Sequence, residues 1–287
     1  MSPRLRILAA AVLFSTSGAA IKYLPLDAWQ VAGFRGLVAG VAVLAMVPAA
    51  RHYLNRKALV VGLGSCASTV LFAVANKLTT AASAIFLQST SPVFTLLLAP
   101  LLVGERASRR DVGATIVMLA GMAVFFVGAD HASASATDPI LGNTLALISA
   151  VTWALTIIGY RWLGRDAADR QAAVVASAVA GNLLAFLVCL PLALPVTHFQ
   201  VSDAAILLYL GVIQLAVAYV LMARAMPHVP ALEASLLLLI EPVVSPVWAW
   251  MLVGELPGVW TIGGGAIILG ATIWKARRSA EAVPLAD

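Results

Sequence analysis

One stretch of this chain occurs twice. Residues 81–105, AASAIFLQSTSPVFTLLLAPLLVGE, lie over residues 231–255, ALEASLLLLIEPVVSPVWAWMLVGE, at a shift of 150 positions. Between 73–121 and 223–271, 14 of 49 positions are identical without a gap. Matches of Ala, Leu and Val carry little weight in so apolar a chain. The informative ones are Pro92 with Pro242, Gly104-Glu105 with Gly254-Glu255, and Gly113 with Gly263. Whatever one copy folds into, the other must fold into as well, so the duplication constrains the chain before any local signal. Shorter matches extend it toward the N-terminus of each copy. Ala11, Val12 and Phe14 align with Ala150, Val151 and Trp153, and Gln30, Val38, Ala39 and Gly40 align with Gln171, Val179, Ala180 and Gly181.

The surroundings of both copies are set by composition. Of 287 residues, 62% are hydrophobic and 11% charged, with mean hydropathy +0.98. A soluble domain carries about 25% charge, and no soluble fold could hide this much apolar surface, so lipid is the solvent. A spanning helix needs about 20 apolar residues. Ten segments qualify as candidates: 5–24, 29–49, 58–77, 80–103, 111–128, 140–162, 171–194, 203–225, 231–253 and 259–276. Several are rich in Gly and Ala, which lets helices approach closely in lipid. Arg4 and Arg6 followed by ILAAAVLF resemble the start of a signal peptide, but the apolar run continues to span length and reads as a retained first helix. The polar break 129–139, ADHASASATDP, separates the fifth and sixth spans. The expected organisation is a first five-helix repeat over 1–130, a linker over 131–139, a second repeat over 140–278 and a tail over 279–287.

Basic residues orient the chain. With the N-terminus in the cytoplasm, 15 of the 18 Lys and Arg residues fall on the cytoplasmic side. Lys22 and Lys77 remain outside, and Arg35 lies within the second span. The opposite orientation reverses that ratio, so both termini are expected inside. Five is odd, so two five-span halves must cross the bilayer in opposite senses. The expected fold class is therefore all-α integral membrane, with ten transmembrane helices arranged as two inverted five-helix repeats. Inversion of this kind is a transporter feature, because two oppositely oriented halves can exchange conformations around a site at the midplane. The basic residues sit between apolar runs rather than along one face, which argues against nucleic acid as a partner.

The ten spans, the 5+5 duplication and the pairs Pro92…Gly104-Glu105 and Pro242…Gly254-Glu255 resemble the drug/metabolite transporter superfamily, in particular its EamA-type members. Among these the chain looks most like bacterial exporters of amino acids and related metabolites. The resemblance implies a central cavity ringed by spans one to four and six to nine, with spans five and ten outside as braces. It also implies a multi-pass protein of the cell inner membrane, acting on a small-molecule substrate without a cofactor.

Charge within a membrane is costly and generally faces a cavity or a partner. Arg35 is a candidate fork for a substrate carboxylate, with hydrogen bonds to carbonyls or a structural ion pair as the alternative. Glu241 lies about ten residues into the ninth span beside Pro242, whose missing donor should free the carbonyl of residue 238. It is a candidate for a substrate ammonium or a coupling proton, or else a structural acid that is protonated or paired with Arg35. Gln88 begins the polar run Gln88-Ser89-Thr90-Ser91 before Pro92 and is too long to bond its own helix as Ser and Thr do. Gln214, Trp153 and Tyr219 complete the cavity candidates. Asn182 is expected to hold helices together. Trp248, Trp250 and Trp260 are expected in an interfacial belt, and Lys22 and Lys77 to snorkel. Glu105 is expected to pair locally with Arg106, Arg109 or Arg110, and Glu233 to meet water or Arg224. Glu105 and Glu255 read as parts of the fold. Cys66 and Cys189 sit alone in apolar runs as small buried hydrophobes.

Other functions fit less well. Export of cationic drugs through a first-span carboxylate lacks that carboxylate, since spans one and six carry none. Nucleotide-sugar transport needs a strongly cationic cavity, and Arg35 is the one basic residue well inside a span. A membrane enzyme would cluster Glu, Arg and His at one depth, yet His52, His131, His198 and His228 fall in loops or at span ends. No phosphate-loop, serine-elbow or zinc-peptidase motif occurs, and no metal site is indicated. Protons remain a candidate coupling ion, and the residues do not choose between monomer and homo-oligomer. Single-cysteine labelling tests the topology: positions in 1–4, 51–57, 104–110 and 277–287 should react from the cytoplasm and those in 130–138 from outside. Reaction of Ser133→Cys from the cytoplasmic side alone would overturn it.

Overall fold

A computed structural model of the chain describes residues 1–79, 81–127, 137–196, 199–253 and 258–281. Among these the structure is helical, with no strand. The helices are α1 (Pro3–Ser15), α2 (Ser17–Tyr23), α3 (Ala28–Met46), α4 (Arg56–Leu78), α5 (Ala81–Gln88), α6 (Ser91–Val103), α7 (Arg109–Phe126), α8 (Pro139–Asp166), α9 (Arg170–Ala193), α10 (Val201–Leu208), α11 (Ala218–Ala225), α12 (Ala231–Leu237), α13 (Ile240–Val253) and α14 (Val259–Glu281). A π-helical stretch, Tyr209–Val217, joins α10 to α11 without a break. Among the described residues seven helical runs are long and apolar enough to cross a membrane: 28–46, 56–78, 83–103, 139–165, 170–193, 201–228 and 231–248. Val259–Trp274 is a shorter apolar helix. α1 and α2 divide at Thr16, and α7 opens with Arg109, Arg110 and Asp111.

Polar side chains start the long helices where the chain leaves the apolar run. Asp27 caps α3 and Gln30 returns the bond, a reciprocal pair that satisfies two free amides. Ser108 and Asp111 do the same for α7. Asn55, Asp138 and Asp169 cap α4, α8 and α9. Gly104 ends α6 at φ +68°, a left-handed conformation that glycine adopts without a Cβ penalty. This accounts for the glycine of the first Gly-Glu pair. Gly254 and Glu255, its expected counterparts, lie outside the described residues, as does residues 131–136 of the linker.

α3 and α4 pack against α9 and α8, α7 against α14, α6 against α12, and α1 against α11 and α13. Small residues set the closest contacts, since lipid offers helices no hydrophobic drive to associate and shape must hold them. A Cβ on Gly36 would stand 2.8 Å from the Asn182 carbonyl oxygen, and one on Gly181 2.8 Å from that of Gly62. The Asn182 side chain does not bridge helices as expected. Its Nδ2 donates to Ala178 O in its own helix at 2.8 Å.

Two of the long runs are interrupted just before the repeated prolines. α5 gives way to α6 at Ser89-Thr90, before Pro92, and α12 to α13 at Leu238-Leu239, before Pro242. The Leu238 carbonyl, expected to be freed by Pro242, is instead taken by the Glu241 amide at 2.9 Å, a tighter i+3 turn. Trp248 is turned inward rather than into a belt, its Nε1 donating to Ser15 Oγ at 2.8 Å beside the α1–α2 break. Trp260 is 56% exposed, while the side chain of Trp250 lies outside the described set.

Packing predicts a contrast between glycines. Gly181→Leu must displace the Gly62 backbone and should cost well over the 1–3 kcal/mol usual for an overpacked core. Gly113→Ala meets nothing within 4 Å and should be neutral or slightly stabilising. Thermal unfolding in detergent compares the two, and equal midpoints would show that the α4–α9 contact is not tight.

Candidate functional site

Each helix irregularity delivers side chains to one central cavity. Phe14 and Ser17 flank the α1–α2 break, Gln88 ends α5, Gln214 and Leu215 come from the π-helical stretch, and Glu241 follows the α12–α13 break. Arg35 of α3, Ser68, Thr69 and Phe72 of α4, Trp153 of α8 and Tyr219 of α11 complete the lining. All six cavity candidates from the sequence, Arg35, Gln88, Trp153, Gln214, Tyr219 and Glu241, therefore meet around one space. Its volume is about 60 Å³, room for about two waters. Ligand pockets run from about 300 Å³, so the space as it stands is smaller than an ordinary ligand needs. A smaller extension of about 20 Å³ continues past Gln88, Trp153 and Glu241 to Ser91, Ser235 and Leu238.

Arg35 is buried, with 3% of its surface exposed. Its Nη2 donates to Thr69 O at 3.4 Å, and its Nε has no partner among the described residues. No carboxylate among them stands within ion-pair distance of it. Glu241, half-buried, lines the same cavity and is paired with no described cation. Gln88 Nε2 donates to Ser149 Oγ at 2.8 Å, and Ser149 in turn bonds Ser68 O at 3.1 Å, so α5, α8 and α4 are joined through it. Gln214 is buried with its Oε1 unpartnered among the described residues. The aromatic wall is ordered by edge contacts: Phe14 meets Trp153 at 6.0 Å and Tyr219 at 5.9 Å between centroids. Such pairs hold the rings at fixed angles. Phe14, Ser17 and the α4 residues Ser68, Thr69 and Phe72 were not among the sequence candidates. The alignment of Phe14 with Trp153, both on the cavity wall, was the signal available for one of them.

On the side of Glu105 and Glu233 buried hydroxyls stand between the cavity and its neighbour. Ser235 of α12 lies 3.5 Å from Ser91 Oγ and receives a hydrogen bond from Thr95 Oγ1 at 3.4 Å, both in α6. Beyond these buried hydroxyls lies a second cavity of about 250 Å³, lined in part by Thr95, Leu96, Glu105, Arg106, Asp111 and Glu233. Ion pairs cross this end. Glu233 takes Arg4 Nε at 2.5 Å rather than Arg224, tying α12 to α1. Arg224 offers its backbone carbonyl to Arg6 instead. Glu105 pairs with none of Arg106, Arg109 and Arg110. Its Oε1 takes Arg161 Nε at 2.6 Å and Arg165 Nη2 at 3.0 Å, and its Oε2 takes the Ala231 amide at 2.8 Å. Arg161 also donates to the carbonyls of Met226 and Pro227. One carboxylate thus fastens the ends of α6, α8 and α12. Lys77, on the other side, donates to Leu24 O at 3.5 Å, and the Lys22 side chain lies outside the described set. Cys66 and Cys189 are buried and unbonded, as expected of small apolar residues.

Burial raises the Glu105 carboxyl, but the hydrogen bonds from Arg161 and the Ala231 amide, with the Arg161 and Arg165 charges, outweigh it and hold the group below its ordinary value of 4.5. A depressed carboxylate stabilises the folded state above its unfolded value and loses that contribution as pH falls through the folded one. The pairing should therefore be intact at pH 7 and fail only below the ordinary glutamate range. Glu105→Gln should lower stability at pH 7 by about 2 kcal/mol, the scale of a charge-assisted hydrogen bond, and reduce the loss of stability on acidification. Unfolding midpoints at pH 7 and pH 4 check this. Identical pH dependence in both proteins would contradict it.

Comparison with known proteins agrees with this architecture. Residues 3–127 and 140–275 both match the EamA-like transporter family. The chain belongs to the EamA-like transporter family. An uncharacterized transporter of Archaeoglobus fulgidus is 26% identical over 256 residues, 85% of this chain and 86% of that protein. A protein of Streptantibioticus cattleyicolor, named a probable terminal-alkyne amino-acid exporter, is 26% identical over 203 residues, 69% of this chain and 65% of that one. A crystal structure at 21% identity superposes with a TM-score of 0.79, over 96% of this chain and 98% of the other, and shares the fold.

Proposed function

We propose that this multi-pass membrane protein is a secondary transporter that exports a small zwitterionic metabolite, an amino acid, across the cell inner membrane. In this reading ten spans form two inverted five-helix halves with both termini in the cytoplasm, and alternating access exposes the central cavity first to one side and then to the other. The arrangement of contacts supports the halves. Corresponding segments meet one another: α3 with α9, α6 with α12, α7 with α14, while α4 meets α8 as α1 meets α11. A two-fold axis in the membrane plane would produce that pattern.

The observation that carries the cargo class is the charge pattern of the cavity. One guanidinium and one carboxylate line it, and neither has an ionic partner among the described residues. A zwitterion supplies both missing partners, its carboxylate to Arg35 and its ammonium to Glu241. Phe14, Trp153 and Tyr219 then offer faces and edges to an apolar side chain. The name of the Streptantibioticus relative falls in the same cargo class. Glu241 is also the group that can carry a coupling proton, since a carboxylate at that depth is costly when charged and alone.

The hydroxyl cluster on the Glu105 side is read as the closed inner gate. Ser91, Thr95 and Ser235 fill the passage, and the Arg4–Glu233 and Glu105–Arg161 pairs hold its rim. Both must part before cargo enters from the cytoplasm.

Proteoliposome transport of labelled amino acids, with and without a pH gradient, tests the reading. Arg35→Ala should cut transport at least tenfold while folded yield is retained, and Glu241→Gln should either weaken substrate affinity or remove the pH dependence. If no amino acid is moved, or if both variants transport normally per folded molecule, the proposal fails.

A further inference from the structure

A groove outside the central site has its own chemistry. It lies between α4, α6 and α8, is lined by Val60, Gly64, Leu102, Leu155, Gly159 and Trp162 among others, and has a volume of about 370 Å³. Its walls are almost wholly apolar and open outward: Val60 is 64% exposed, Leu102 55% and Leu155 39%. In these helices such faces meet lipid rather than water. The groove sits near one membrane boundary, because Val60 is four residues from the start of α4 and Leu102 one residue from the end of α6, at a rise of about 1.5 Å per residue.

Two cations frame its mouth. Lys57 Nζ stands 5.3 Å from the centroid of the Trp162 ring, on the groove wall. Arg165 Nη1 donates at 2.5 Å to the carbonyl of Val103, another wall residue. Arg165 is also paired with Glu105 and is partly neutralised there, so the exposed Lys57 is the principal cation facing an incoming group. An apolar trough a few ångströms deep in the bilayer, with a lysine at its headgroup end, matches a lipid with one negative charge above its acyl chains. A zwitterionic headgroup would bring its own cation to the same place, and a free phosphate would leave the trough unused.

We propose that the α4–α6–α8 groove is a binding site for an anionic phospholipid, with an acyl chain along Val60, Leu102 and Leu155 and the phosphate at Lys57. The site is separate from the central cavity, so its fate does not depend on what the protein transports.

The test uses the full chain in a non-ionic detergent with equal amounts of phosphatidylglycerol and phosphatidylcholine, the retained lipid being counted by native mass spectrometry. Phosphatidylglycerol should be favoured by the unaltered protein. Lys57→Gln should reduce that preference about fivefold, the scale of one basic residue at an anionic surface. Val60→Trp fills the trough from an exposed position and should lower retention of phosphatidylglycerol without changing the unfolding midpoint. Soluble glycerol phosphate at millimolar concentration should not displace the lipid. Equal retention of the two lipids by the unaltered protein overturns the proposal. So does a preference that survives Lys57→Gln, or displacement by glycerol phosphate alone, which would mean the headgroup binds without the groove.

Discussion

Backbone satisfaction in a solvent with no hydrogen bonds is the constraint on which this structure depends. A helix satisfies its own amides and carbonyls, and a lapse is tolerated only where protein or trapped water covers it. Among the described residues the chain leaves regular α-helix at Thr16, at Ser89-Thr90, through Tyr209–Val217 and at Leu238-Leu239, where tighter i+3 turns or a π-helix take over while the amides stay bonded. All four irregularities border the central cavity or its extension. Cavity and irregular backbone therefore account for each other. Broken helices need an interior face, and the breaks turn Gln88, Gln214 and Glu241 toward a space that continuous helices would have packed shut. Hydroxyls reinforce the tight turns: Thr90 Oγ1 donates to Leu87 O at 2.6 Å, and Thr16 Oγ1 to Leu13 O at 2.8 Å, each beside the residue's own amide on the same carbonyl.

The end of the molecule marked by Glu105 follows a different rule. There, water is near and charges are tolerated, so the helix ends are fastened by ion pairs rather than by close glycine contact. Exposed pairs of this kind add little, but the side chains of Glu105 and Arg161 are only 17% and 18% exposed. Loss of Glu105 would leave Arg161 half-desolvated, with only carbonyl partners, and would release the first amide of α12. The same carboxylate thus serves a helix end and an interhelical tie. This is a physical reason for a glutamate to follow the αL glycine of α6: the turn at Gly104 swings the next side chain back over the bundle.

That turn also explains what could and could not be read in the sequence. The repeated prolines and the polar run before Pro92 marked two of the helix breaks, because proline removes a donor wherever it sits. The six cavity candidates were legible as polar or aromatic residues at depths where lipid makes them costly. The π-helical stretch was not, since YLGVIQLAV carries no proline or polar run to distinguish it from an ordinary helix. Nor were the ion pairs. Glu105 was expected to choose among arginines one to five residues away and instead takes one 56 residues on, and Glu233 takes one 229 residues back. Sequence distance ranks partners only when the chain runs straight. Trp248 failed for a related reason: the belt expectation rests on depth alone, whereas the α1–α2 break places Ser15 Oγ where an indole N–H can reach it.

What remains is the unequal treatment of Arg35 and the polar groups beside it. Gln88, Ser149 and Ser68 complete one another in a connected chain, at ordinary hydrogen-bond distances. Arg35 has five donors and makes one long bond among the described residues, from Nη2 to Thr69 O. A guanidinium retained to brace helices would collect carbonyls, as Arg161 does with Met226 and Pro227 at the other end of the bundle. Leaving Nε bare in a buried setting costs the desolvation of a charged group with little return. The fold carries that cost beside the cavity and meets such needs elsewhere, and this difference, more than its depth, is the observation behind the proposal that Arg35 takes a substrate carboxylate.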